Sequence, residues 1–230
     1  MDFLYIDIPQ TWLWFSIAFA AMLVTSLMMS HQAAGFLTRD GSLRKFSILD
    51  LQLPSSPNDI PNILGGIFRL PEGKIRYALK SLKNHLYIDF LYMPAVYGCI
   101  FLLCMHVSSK TVSIGHPWFA AFAWLQILAW IFDMIENIYL LTQIKERRTP
   151  PVPINNVPEK IHRIYISYKY MVLTKWMIAL LGGICSLMVL LYFWITGKYN
   201  PDNLFYSIVI IVEIIAFIAL SKYMSRKKNQ

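Results

Sequence analysis

The sequence predicts an all-α integral membrane bundle of about five transmembrane helices, forming a single domain over residues 1–230. Three observations carry this. The chain is 57% hydrophobic and only 15% charged, where soluble domains are roughly 25% charged. Its apolar residues gather into runs long enough to cross a bilayer. Its Lys and Arg residues sit almost entirely in alternate connections between those runs. A soluble fold of this size leaves too much surface exposed to hide so many apolar side chains, and a bilayer removes that requirement.

A helix rises about 1.5 Å per residue, so a hydrocarbon core of about 30 Å needs roughly 20 apolar residues. Runs 11–30, 86–107, 118–144, 171–196 and 203–221 meet that need. Trp12, Trp14, Trp118, Tyr168, Tyr170, Tyr199 and Tyr223 lie near run ends, where interfacial aromatics collect. The first run follows MDFLYIDIPQ, which has no Lys or Arg. A secretory signal opens with a basic segment and has a shorter apolar run, so a retained helix is predicted.

Eight Lys and Arg residues, Arg39 to Lys83, follow the first run. Seven more, Lys145 to Lys175, lie between the third and fourth runs or at the start of the fourth. Four close the chain, and only Lys110 and Lys198 belong to the opposite side. The positive-inside rule then predicts an N-terminus outside and a C-terminus inside. The implied location is a cell membrane, the inner one in a bacterium. Topology accounts for the net charge of +8. No basic groove with interleaved aromatics is visible, and nucleic acid is not a predicted partner.

Residues 31–85 form the one sizeable inner loop, too poor in apolar residues for an independent domain. In SPNDIPNILGGIF, Ser56, Pro57 and Asp59 predict a capped helix start, which Pro61 and Gly65-Gly66 weaken. PEGKIRYALKSLKNHLYIDF predicts a basic amphipathic helix running into the second span. Ile75, Leu79, Leu82 and Leu86 form its apolar side, and Lys74, Arg76, Lys80 and Lys83 can reach anionic lipid headgroups at the inner face. An ordinary positive-inside flank explains the same charges. The proline-rich TPPVPINNVPEK predicts a stiff, non-helical connection.

Ionisable groups inside a membrane cost several kcal/mol unless paired or hydrated. On the third span Gln126, Trp130, Asp133 and Asn137 follow helical steps of four, three and four, with Glu136 beside them. On the second, His85, Asp89, Tyr92, Cys99 and His106 share one face, and Pro94 predicts a kink. The fourth adds Lys175, followed on the same face by Ala179, Gly182 and Ser186, and the fifth adds Glu213. Depth along the helices brings Asp89, Tyr92, Asp133, Glu136, Asn137 and Lys175 together as the candidate binding site. Two accounts fit it. In one, Lys175 neutralises a carboxylate while Asn137 and Tyr92 bond the rest, gluing helices together. In the other, the carboxylates serve a ligand or ion.

Catalytic and cofactor signatures are missing. Cys99, Cys104 and Cys185 lie in apolar runs without a CxxC pair, which suggests buried thiols rather than a disulfide or zinc framework. His106 is the one histidine clearly inside a span. No HExxH, GxSxG, P-loop or GxGxxG occurs. No catalytic residue, metal or cofactor is therefore predicted.

ILDLQL, ALKSLKNHLYIDFLYMPAVYG and AWIFDMIENIYLL, within residues 48–143, resemble a group of uncharacterised bacterial multi-pass membrane proteins. That group carries an LDFLF-like pattern, matched by Asp89 and Tyr97, and a D-x-x-E-N pattern, matched by Asp133, Glu136 and Asn137. The resemblance implies a membrane family and no activity. Three functions stay open at this level. One is a non-catalytic membrane component with a membrane-protein partner. Another is a small proton or cation transporter using Asp89, Asp133 and Glu136. The last is a membrane-embedded lipid-modifying enzyme.

Overall fold

The computed structural model describes residues 4–111, 115–146, 159–198 and 204–228. The elements run α1 (Thr11–Ala33), β1 (Leu37–Asp40), β2 (Ser42–Lys45), α2 (Ile48–Gln52), α3 (Asp59–Phe68), α4 (Glu72–Lys110), α5 (Gly115–Glu146), α6 (Glu159–Ile195) and α7 (Leu204–Lys228). Five of them, α1, α4, α5, α6 and α7, are long and apolar enough to cross a membrane. Each contains or nearly matches one predicted run. The proline-rich stretch 149–158 and Tyr199 lie outside the described residues.

Two compact units make up the chain. One comprises Met28–Phe90 with Ile131–Lys175, the other Met1–Leu27 with Leu91–Trp130 and Trp176–Gln230.

In the first unit, segment 31–85 is more structured than its sequence predicts. β1 and β2 pair antiparallel, with Thr38 opposite Arg44, and Gly41 between them has φ +72°. That left-handed conformation costs glycine nothing. Ser47 then opens α2 with a capping box: its hydroxyl accepts from Leu49 N, and its own N–H donates to Asp50 Oδ2 at 2.8 Å. α3 starts at Asp59, later than Ser56 implies. The expected pairing survives in altered form, because Asp59 accepts hydrogen bonds from Ser55 N, Ser56 N and Ser56 Oγ. Burial pushes the Asp59 carboxyl up, but these bonds and nearby Arg44 outweigh it and hold the group below the usual aspartate range.

Gly66 does not merely weaken α3. A Cβ there would collide with Thr38 Oγ1 and come within 2.9 Å of Arg39 O, so glycine is what lets the hairpin lie on the helix. Thr38 Oγ1 donates to Ile63 O at 2.9 Å across the same contact. Phe36, Phe46, Leu51, Ile63, Leu64 and Ile67 join Leu82 and Leu86 of α4, Leu140 of α5 and Val172 of α6 in one buried core. Segment 31–85 is too poor in apolar residues to close a core alone, and the long helices supply the other half. Each such side chain contributes about 1.5–3 kcal/mol on burial. Leu82 and Leu86 thus face protein, leaving Lys74, Arg76, Lys80 and Lys83 exposed. Tyr168, placed among the interfacial aromatics by its sequence position, is instead buried and donates to Leu51 O at 3.1 Å.

In the second unit, α4 continues unbroken through Pro94. Cys104, Met105 and Ala123 form a small buried core, flanked by Tyr5, Ile8, Ile100, Phe101 and Phe122.

Candidate functional site

Five of the six predicted site residues meet inside the first unit. α5 supplies Asp133, Glu136 and Asn137, whose spacing of three and four places them on one side of the helix. α4 supplies Asp89 and α6 supplies Lys175. All five are removed from solvent: Glu136 and Asn137 are 0% exposed, Lys175 2%, Asp89 6% and Asp133 8%.

Lys175 Nζ donates to Asp133 Oδ1 at 2.5 Å. The same nitrogen lies 2.5 Å from Glu136 Oε2. This second contact engages Glu136 Oε2 in an ion pair with the same ammonium, while Glu136 Oε1 has no hydrogen-bond partner among the described residues. One ammonium therefore bridges two carboxylates one turn apart, tying α6 to α5.

Asn137 Nδ2 donates to Asp89 Oδ2 at 2.8 Å. The carboxylate can only accept, which fixes the amide's orientation. Asn137 Oδ1 is then left buried without a hydrogen-bond partner among the described residues. One turn earlier on α4, His85 Nδ1 lies 3.1 Å from Met29 O, so His85 belongs to a separate contact.

The cluster holds three carboxyl groups and one ammonium. Attraction between buried opposite charges is several times stronger than in water, but taking each charge out of water offsets much of it. A second positive charge, borne by a proton or a small cation, would complete the balance for Glu136, and a third would do so for Asp89. No group of three or more His, Cys, Asp and Glu among the described residues is arranged to hold a metal ion.

Tyr92, the sixth predicted residue, falls in the second unit and is half-buried. The same unit holds Gln126, at the other end of the α5 stripe. Gln126 Nε2 donates to Phe122 O and Ile178 O, each at 3.2 Å. A Cβ on Gly182 would meet that nitrogen at 2.5 Å, so the small-residue face of α6 admits the glutamine. Cys104 Sγ and Ser186 Oγ lie 3.1 Å apart. His106 packs edge-on against Trp12 at 4.9 Å, and Glu213 is half-buried.

Sequence reasoning missed the Tyr168–Leu51 tether and the Ser47 cap. The tether leaves no local signal, since its partners are 117 residues apart. The cap did leave one, in the Ser-x-x-Asp spacing of SILD. Comparison with known proteins adds no relative: no family model matches the chain, and no curated protein or solved structure does.

Proposed function

We propose that this chain is a non-catalytic, multi-pass component of a cell membrane, with its N-terminus outside and its C-terminus inside, acting with a membrane-protein partner. The observation that carries this reading is the closed cluster in which Lys175 is shared by Asp133 and Glu136 while Asn137 engages Asp89. Lys175 on α6 is directed at two α5 carboxylates and Asn137 on α5 at Asp89 on α4, the arrangement expected of interhelical ties within an apolar bundle. The one-sided placement of Lys and Arg supports the orientation. Exposed Lys74, Lys80 and Lys83 on α4 support contact with anionic headgroups at the inner face.

Two measurements test the proposal. Reporters at Gln230 and near Asn155 should read inside, and one near Ile114 outside. Opposite readings at Asn155 and Gln230 would overturn the topology. Purification in mild detergent should recover a fixed partner in constant ratio, and a solitary chain with full cellular activity would overturn the component reading.

The excess of carboxyl groups over ammonium favours a second reading, a proton or cation relay through Asp89, Asp133 and Glu136. Flux in proteoliposomes that is abolished by Glu136→Gln would select it, and its absence in active preparations would remove it.

A further inference from the structure

A cleft of about 340 Å³ lies in the first unit, between α5 and α6, lined by Ile135, Tyr139, Arg163, Ile164, Ser167, Tyr168 and Met171. Its lining changes character along one direction. Arg163, Ser167 and Met171 fall at successive turns of one face of α6, so charge, hydroxyl and thioether follow one another over about 12 Å. Ile135 and Ile164 add apolar lining, and so do the Tyr139 and Tyr168 rings, whose centroids are 5.0 Å apart.

We propose that this cleft binds one anionic glycerophospholipid, with its phosphate on Arg163 and Ser167 and an acyl chain running past Ile164, Ile135 and Met171. The inference rests on the reading of α5 and α6 as membrane helices. Charge complementarity selects the occupant. A guanidinium presents paired donors that match phosphate oxygens, and the serine hydroxyl one turn further on can add another. The apolar walls beyond them suit a chain rather than a free anion. Arg163 also pairs with Glu159 at 2.6 Å, but both side chains are more than three-quarters exposed. An exposed pair of this kind contributes little, so a phosphate can displace the glutamate. The site is distinct from the exposed lysines of α4.

The test uses the full chain, purified in mild detergent with phosphatidylglycerol and phosphatidylcholine of matched acyl chains, and native mass spectrometry of the retained lipid. The expected result is one phosphatidylglycerol per chain, favoured about fivefold, the effect of one basic residue at a lipid surface. Arg163→Gln, at an exposed position, should abolish the preference. Met171→Trp should fill the cleft and lower retention of both lipids. A Lys74→Gln, Lys80→Gln, Lys83→Gln triple variant should keep the preference. Equal retention of the two lipids, a preference that survives Arg163→Gln, or equal competition by glycerol phosphate would each overturn the proposal. Extraction of the chain from membranes by alkaline carbonate reports separately on the membrane reading. Release there would refute that reading, whereas a resistant chain without lipid preference refutes only the site.

Discussion

Asp89 on α4 and Asn137 on α5 are joined by a 2.8 Å hydrogen bond between two side chains that solvent hardly reaches. Asn137→Leu removes the donor and leaves the carboxyl group without it. Such a change should cost about 1–3 kcal/mol. Asp89→Asn keeps an acceptor for Asn137 and should cost less. Denaturant unfolding in detergent would rank the two, and a larger loss for Asp89→Asn would contradict the assigned bond.

Lys175→Met strands two carboxylates at once. Breaking a buried pair from one side costs about 3–5 kcal/mol, so this variant should be the least stable of the single changes in the cluster. Adding Asp133→Asn should recover part of the loss, and adding Glu136→Gln as well should recover most of it. The coupling should appear as strong non-additivity across the cycle. Additive losses would show that the three residues do not share one ammonium.

Gly66→Ala should destabilise the first unit by about 1–3 kcal/mol, although alanine favours helix. The obstacle is partly backbone, Arg39 O at 2.9 Å from the new Cβ, which cannot rotate away. Limited proteolysis should cut between Leu37 and Lys45 sooner in this variant. Unchanged protection would mean that the hairpin does not rest on α3 as described.

Asp59 supplies a pH dependence outside the long helices. Its folded pKa is depressed by the Ser56 and Ser55 hydrogen bonds and by Arg44, against the opposing effect of burial. A carboxyl group of this kind gives its full stabilisation above its unfolded pKa and loses it as pH falls through the folded value. Carbon-13 titration should therefore place Asp59 below the ordinary aspartate midpoint. Ser56→Ala should raise that midpoint, and an unmoved one would discount the Ser56 bonds.

The long helices and the charged cluster were legible because both are periodic. A run of apolar residues reports a span, and polar residues at steps of three and four report one face. Asp133, Glu136 and Asn137 were thus found on a single element, and depth brought Lys175 and Asp89 to them. The hairpin was not legible. Its strands, LTRD and SLRK, are four residues each and strongly polar, so alternation has no room to show. Only the Asp-Gly pair at 40–41 marked a turn. Tyr168 misled for a related reason. An aromatic at the end of an apolar run looks interfacial until segment 31–85 folds over it, and the bond that joins the two spans 117 residues.

The tether between Tyr168 and Leu51 also sets an order of events during synthesis. Leu51 leaves the ribosome 117 residues before its partner is made. At about 5–20 residues per second, the delay is roughly 6 to 23 s. Until that interval ends, Phe36, Leu64 and Ile67, once made, lack the Tyr168 and Val172 side that completes their core. The nascent chain therefore carries a half-built apolar surface whose lifetime is set by translation, however fast the finished unit folds.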